Sequence, residues 1–92
     1  MKSTQTIEAL VQQIALTCLQ ITGQGRHHAF FGYSAHVGVF SVRVLPASTL
    51  YVEGRPQHAV LTREVRLRQP DALAELESLH DNLQLLHSRE AA

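Results

Sequence analysis

Six histidines stand among the 92 residues of the chain, and three of them fall in one aromatic stretch. His27, His28 and His36 belong to RHHAFFGYSAHVGVFSVRVLP, residues 26–46. Imidazoles in such numbers suggest metal binding or proton transfer, and both need side chains that converge. On an extended chain, neighbours point to opposite faces, so His27 and His28 do not reach one ion. His36 and His58 meet only if a strand register sets them opposite each other. His80 and His87 share a helix face, but a rise of ~1.5 Å per residue parts them by roughly 10 Å, too far for one zinc. Glu77 and His80, in ESLH, have the carboxylate-x-x-histidine spacing of dimetal bundles. Those sites need a second such motif and further carboxylates on facing helices, and the first helix offers only Glu8. No metal or other cofactor is expected. Glu77, His80, Gln84 and His87 are expected to form a polar helix face, solvated or at a subunit boundary.

Covalent and acid–base chemistry finds little support. Ser34 and His36 share a strand face at their spacing, but no matching acid is evident and the nucleophile-elbow pattern is absent. ITGQGRH holds a lone G-x-G without the third glycine, and it follows a helix where a dinucleotide fold needs a strand. The phosphate-loop motif is missing, and Lys2 is the only lysine. Cys18 lies among apolar residues at helical spacing, which predicts a buried, inert thiol. The chain is therefore expected not to be an enzyme.

The arginines make the strongest case for a charged ligand. Arg55, Arg63, Arg66 and Arg68 cluster near the last predicted strand, and Arg43 could stand beside them. Guanidinium forks suit phosphates, and Tyr33 or Tyr51 could stack a base. Glu53 and Glu64 interrupt the cluster, and eight basic residues balance eight acidic ones. Nucleic acid is thus the alternative partner, not the first.

Composition bounds the rest. A chain of this length forms one domain with a thin core. Apolar residues at 45% and charged residues at 17% describe a globular chain. A net charge of zero permits self-association. One cysteine excludes an intramolecular disulfide. No apolar run is long enough to span a membrane, and the amino-terminal residues lack a secretory pattern, so a cytoplasmic protein is expected.

The elements that position these residues follow from periodicity. Ile7, Leu10, Val11, Ile14, Cys18 and Ile21 predict a helix over 4–22, capped by Ser3 or Thr4 and stopped by Gly23. Leu16 and Leu19 widen its apolar face, which predicts more than one neighbour. From Phe40 the chain alternates as a strand, with Phe40, Val42 and Val44 on one side. Val37 and Val39 fall on the opposite phase. Gly38 lies at the change, as a bulge or as part of a strand buried on both faces. TLYV predicts a short strand, and HAVLTREVRLR a half-exposed one. There Ala59, Leu61, Val65 and Leu67 face inward around Arg63. Pro70 fits the first position of a second helix, whose stripe is Leu73, Leu76, Leu79, Leu83 and Leu86. Helix, three or four antiparallel strands, helix is an α+β two-layer domain over 1–92, with both helices on one sheet face.

FFGYSAHVGVFSVRVLP, residues 30–46, carries paired aromatics, then Tyr-Ser, then His-Val, then an alternating strand. This stretch resembles one found in short phage and prophage proteins of bacteria. The resemblance implies a phage or mobile-element association and carries no site residue with it.

Two helices shield one face of a small sheet. Phe30 and Phe31 are adjacent and point opposite ways, and Val37 and Val39 oppose the Phe40 phase. One apolar set is therefore left uncovered, and such patches mark interaction surfaces. The expected protein is a non-enzymatic protein-interaction or regulatory module acting as a homodimer. It joins through the open sheet face or an edge strand, with Phe30, Phe31, Val37, Val39, His80 and His87 as candidate interface residues.

Overall fold

The computed structural model describes residues 6–49, 54 and 58–91. The order is α1 (Ile7–Gly23), β1 (His27–Ser34), β2 (Val39–Pro46), β3 (Leu61–Arg66) and α2 (Ala72–Ala91), an α+β fold with one antiparallel sheet ordered β1-β2-β3. Residues 50–52 of the predicted TLYV strand lie outside the described residues, as do Ser3 and Thr4.

Local chemistry explains each boundary. Thr6, not an earlier residue, caps α1: its hydroxyl accepts the Ala9 N–H at 3.0 Å. The helix continues through Gly23, and the glycine that takes the left-handed conformation is Gly25, at φ 88°. The aromatic stretch is a hairpin rather than one long strand. Ala35 to Gly38 form its turn, with Gly38 at φ 66°. The phase change at Gly38 therefore marks a reversal of direction, not a bulge. Leu67 donates its N–H to the Gly38 carbonyl at 2.8 Å, and the Arg68 guanidinium donates to the Ala35 carbonyl at 3.2 Å. A Cβ on Gly38 would stand 3.0 Å from Arg68 Nε, which the exposed arginine can relieve by shifting, so the positive φ is what favours glycine there. The segment after β3 turns before α2 begins. Pro70 sits in that turn, and the Asp71 carbonyl accepts the first helical bond from Glu75 N–H at 3.0 Å.

β2 is the central strand and supplies one side of the core. Its register sets Ala29, Phe31 and Tyr33 of β1 opposite Val44, Val42 and Phe40. On the other side it sets Leu61, Arg63 and Val65 of β3 opposite the same three residues. Directly opposed residues share a face. That face meets Leu10, Ile14, Cys18 and Ile21 of α1 and Ala72, Leu76, Leu79 and Leu83 of α2. The α2 stripe begins at Ala72, and Leu73 turns outward.

The two helices run parallel. Gln84 donates to the Thr17 hydroxyl at 3.3 Å, and Gln24 donates to the His87 carbonyl at 3.3 Å. Thr17 is fully buried, and its hydroxyl is satisfied twice: it donates to the Gln13 carbonyl at 2.9 Å and accepts from Gln84. α1 touches both β1 and α2, yet Leu16 and Leu19 stay exposed.

Leu79 is wholly buried between the layers. Leu79→Ala should lower stability by about 2–5 kcal/mol, whereas Leu16→Ala should change it by less than about 0.5 kcal/mol. Urea unfolding of the two variants measures the difference.

Candidate functional site

The sheet has a helix side and an open side, and the candidate residues divide between them. Alternation along β1 puts Ala29, Phe31 and Tyr33 on the helix side, with His28, Phe30, Gly32 and Ser34 on the open side. The open side continues with Val39, Ser41, Arg43 and Leu45 of β2 and Thr62, Glu64 and Arg66 of β3.

This arrangement corrects the expectation of a central strand apolar on both faces. Val37 belongs to the hairpin turn, and Val39 is half-buried at the first pair of β2. Leu45 is buried at the far end. Between them the open side is polar except for Phe30. Arg43 lies over the Phe30 ring at 5.6 Å from its centroid, and His28 meets the same ring edge-on at 6.5 Å.

The histidines do not assemble. His36 is in the turn at one end of the sheet. His58 precedes β3, whose first paired residue, Leu61, stands opposite Val44 at the other end. His36 and His58 therefore do not meet. His80 shares a 3.1 Å hydrogen bond with Gln84, which places it beside α1. Among the described residues, no group of three histidine, cysteine, aspartate or glutamate side chains is placed to hold a metal ion.

The arginines also separate. Arg43 and Arg66 are exposed on the open side, with Glu64 between them on β3. Arg63 points to the helix side and lies 3.6 Å from Glu75. Arg68 is held against the turn, and Arg55 lies outside the described residues. Tyr51 lies outside them as well.

The candidate interface residues occupy several places. Phe30 and Phe31 lie on opposite faces of β1, Val37 is on the turn, Val39 on β2, and His80 and His87 on α2. What β1 brings together is different: Phe30, Phe31 and Tyr33 are 42%, 47% and 60% exposed. Phe31 leans on Phe40 at a ring separation of 6.4 Å. Tyr33 and Phe40 line a groove of about 670 Å³ with Ile7, Val11, Leu67, Glu8 and Gln12. The groove presents the Glu8 carboxylate, the Gln12 amide and the Tyr33 phenol among apolar side chains, which suits a largely apolar guest. Gly32 and Thr22, both at the β1 edge, escaped the sequence reading. The available signal was a glycine inside an otherwise aromatic strand.

Comparison with protein-family models, with curated proteins and with solved structures gives no significant match. The fold defines the class, a two-layer α+β domain with parallel helices on a three-stranded sheet. Among the described residues, no helix is long and apolar enough to cross a membrane.

Cys18 is buried in the core, and burial pushes its thiol up to about 11. A raised thiol pKa favours the folded state below the unfolded value and withdraws that support as pH rises through the folded one. Stability should therefore fall between about pH 9 and 11, as followed by thermal melting, and Cys18→Ala should flatten the fall. Native protein at pH 8 should react with a thiol reagent only as fast as it unfolds.

Proposed function

We propose that this protein is a small cytosolic protein-interaction module without catalytic chemistry, and that it acts as a homodimer. The observation that supports this reading is the cluster of exposed aromatics on β1. An eight-residue strand, HHAFFGYS, carries Phe30, Phe31 and Tyr33 at the surface and has no lysine, arginine, aspartate or glutamate. Large apolar side chains gain free energy by leaving water, and β1 itself carries no lysine, arginine or carboxylate; the charges beside it are Arg43 over Phe30 and Glu8 in the groove with Tyr33. Zero net charge removes long-range repulsion between copies. A phage or mobile-element setting rests on the likeness of residues 30–46, and gene neighbourhood tests it.

Sedimentation velocity at micromolar concentration should show a species of twice the chain mass. Its population should change little between roughly 0.1 and 1 M salt, because apolar contacts are not screened. Phe31→Asp should weaken association about tenfold or more, since a carboxylate would have to be desolvated. A monomer at every concentration refutes the homodimer. Retention of RNA or DNA that collapses with salt and with Arg43→Ala and Arg66→Ala would instead establish the nucleic-acid reading.

A further inference from the structure

Among the described residues the sheet ends in two free strands, and their chemistry is unlike. β3, LTREVR, carries Arg63, Glu64 and Arg66. Charges of this kind blunt an edge against pairing. β1 carries none of them, and no proline or bulge interrupts its ladder from His27↔Pro46 to Ser34↔Val39.

The hydrogen-bond phase shows which groups of β1 remain outward. Ala47 donates its N–H to the Arg26 carbonyl at 3.0 Å, which fixes the alternation of the β1–β2 ladder. His28, Phe30, Gly32 and Ser34 therefore turn their backbone groups to β2, while His27, Ala29, Phe31 and Tyr33 turn theirs to the free edge. Ala29 confirms the phase, because its N–H is donated outward to the Thr22 hydroxyl at 3.0 Å. Thr22 thus closes the edge at Ala29. Beyond it, no described residue accepts from Phe31 or Tyr33 N–H. The exposed part of β1, residues 30–34, has Gly32 at its centre.

We infer that the partner at this edge is a second copy of the chain, paired antiparallel through β1 with Gly32 opposite Gly32 of the second copy. The inference rests on the homodimer reading above and specifies its geometry. In this register Phe31 faces Tyr33 of the second copy on the helix side, and Phe30 faces Ser34 of the second copy on the open side. Phe31 and Tyr33 then exchange about four hydrogen bonds across a two-fold axis perpendicular to the sheet. Symmetric registers centred on Phe30 or Phe31 would need the Ala29 N–H, which Thr22 already holds. One centred on Tyr33 would run into the 35–38 turn. The inferred product is one six-stranded sheet with all four helices on the same side.

Gly32 offers a position at which the pairing can be probed. A Cβ there would meet only Ser41 Oγ, at 3.8 Å, so the fold itself does not require glycine. Opposed residues of a non-hydrogen-bonded pair bring their Cα atoms to about 4.5 Å while their side chains leave the sheet plane, so a side chain at 32 would stand beside its copy without blocking the pairing.

Two variants of the full chain test the pairing. Gly32→Cys should form a disulfide-linked dimer under mild air oxidation, because a Cα separation of about 4.5 Å lies within disulfide reach. Ser41→Cys, on the same face one strand inward, should not. Tyr33→Pro removes an outward N–H and leaves the β2 ladder intact, so circular dichroism should be unchanged while dimer affinity falls about tenfold or more. A sedimenting dimer that Gly32→Cys does not cross-link, or that Tyr33→Pro leaves at full affinity, overturns this pairing and leaves the homodimer standing. A wild-type chain that stays monomeric removes both. If Tyr33→Pro fails to fold, the cross-link alone decides.

Discussion

The structure depends on one face of one strand. Phe40, Val42 and Val44 of β2 are sealed beneath two helices, and both neighbouring strands take their phase from them. A slip of one residue would drive Ser41 and Arg43 into the core and carry the three apolar side chains into water. That penalty fixes the register against β1 and β3. It also settles which side each flanking residue occupies, because opposed residues share a face. Tyr33 lies beside Phe40 and Arg63 beside Val42 for this reason alone. The helices are tied in a second way: Gln84 on Thr17 and Gln24 on His87 bind α2 to α1 with polar contacts at two heights. Greasy stripes can slide past each other, but directional bonds from buried Thr17 favour one alignment.

Much of this was legible in the sequence, and the exceptions have physical causes. The alternation of β2 and β3 was plain because one face of each is buried, and the stripes of both helices followed from their spacing. The hairpin turn was not plain. Ala35, His36, Val37 and Gly38 include neither asparagine, aspartate nor proline, and Val37 favours extended structure. Only Gly38 signalled a turn, and a glycine at a phase change also fits a bulge. The start of α2 was misplaced for a related reason. Proline suits the first helical turn but also suits the turn before it, and Asp71 follows as the residue whose carbonyl accepts the first helical bond. Leu73 looked like core because leucine usually is. Ala72 fills that position, and a small side chain there sits flush in a wholly buried site.

The histidine pairs show a harder limit. Whether His36 meets His58 depends on where a strand begins and which end of the sheet a turn occupies. Neither is written in the spacing of the two residues. A pairing across strands is a property of register, and register follows from burial of Phe40, Val42 and Val44, not from any imidazole. The arginines divide by the same rule. Arg63 and Arg66 are three apart on a strand, so they must leave on opposite sides, and only Arg66 joins Arg43 on the open side.

The proposed mode of association follows from where the charges fell. Pairing through the open sheet side would bury Arg43, Glu64 and Arg66, and each would need a partner or lose its hydration. The Arg43 guanidinium is already placed over Phe30, so the largest apolar group on that side is partly shielded. The β1 edge makes no such demand. Its outward groups are backbone amides and carbonyls that a second strand can satisfy, and its side chains are aromatic or small. A surface that joins copies without desolvating an ionised group has the smaller free-energy penalty. In this fold the edge comes nearer to that condition than the open side, and on this ground the proposed pairing runs through the aromatics of β1 rather than through a second apolar sheet face.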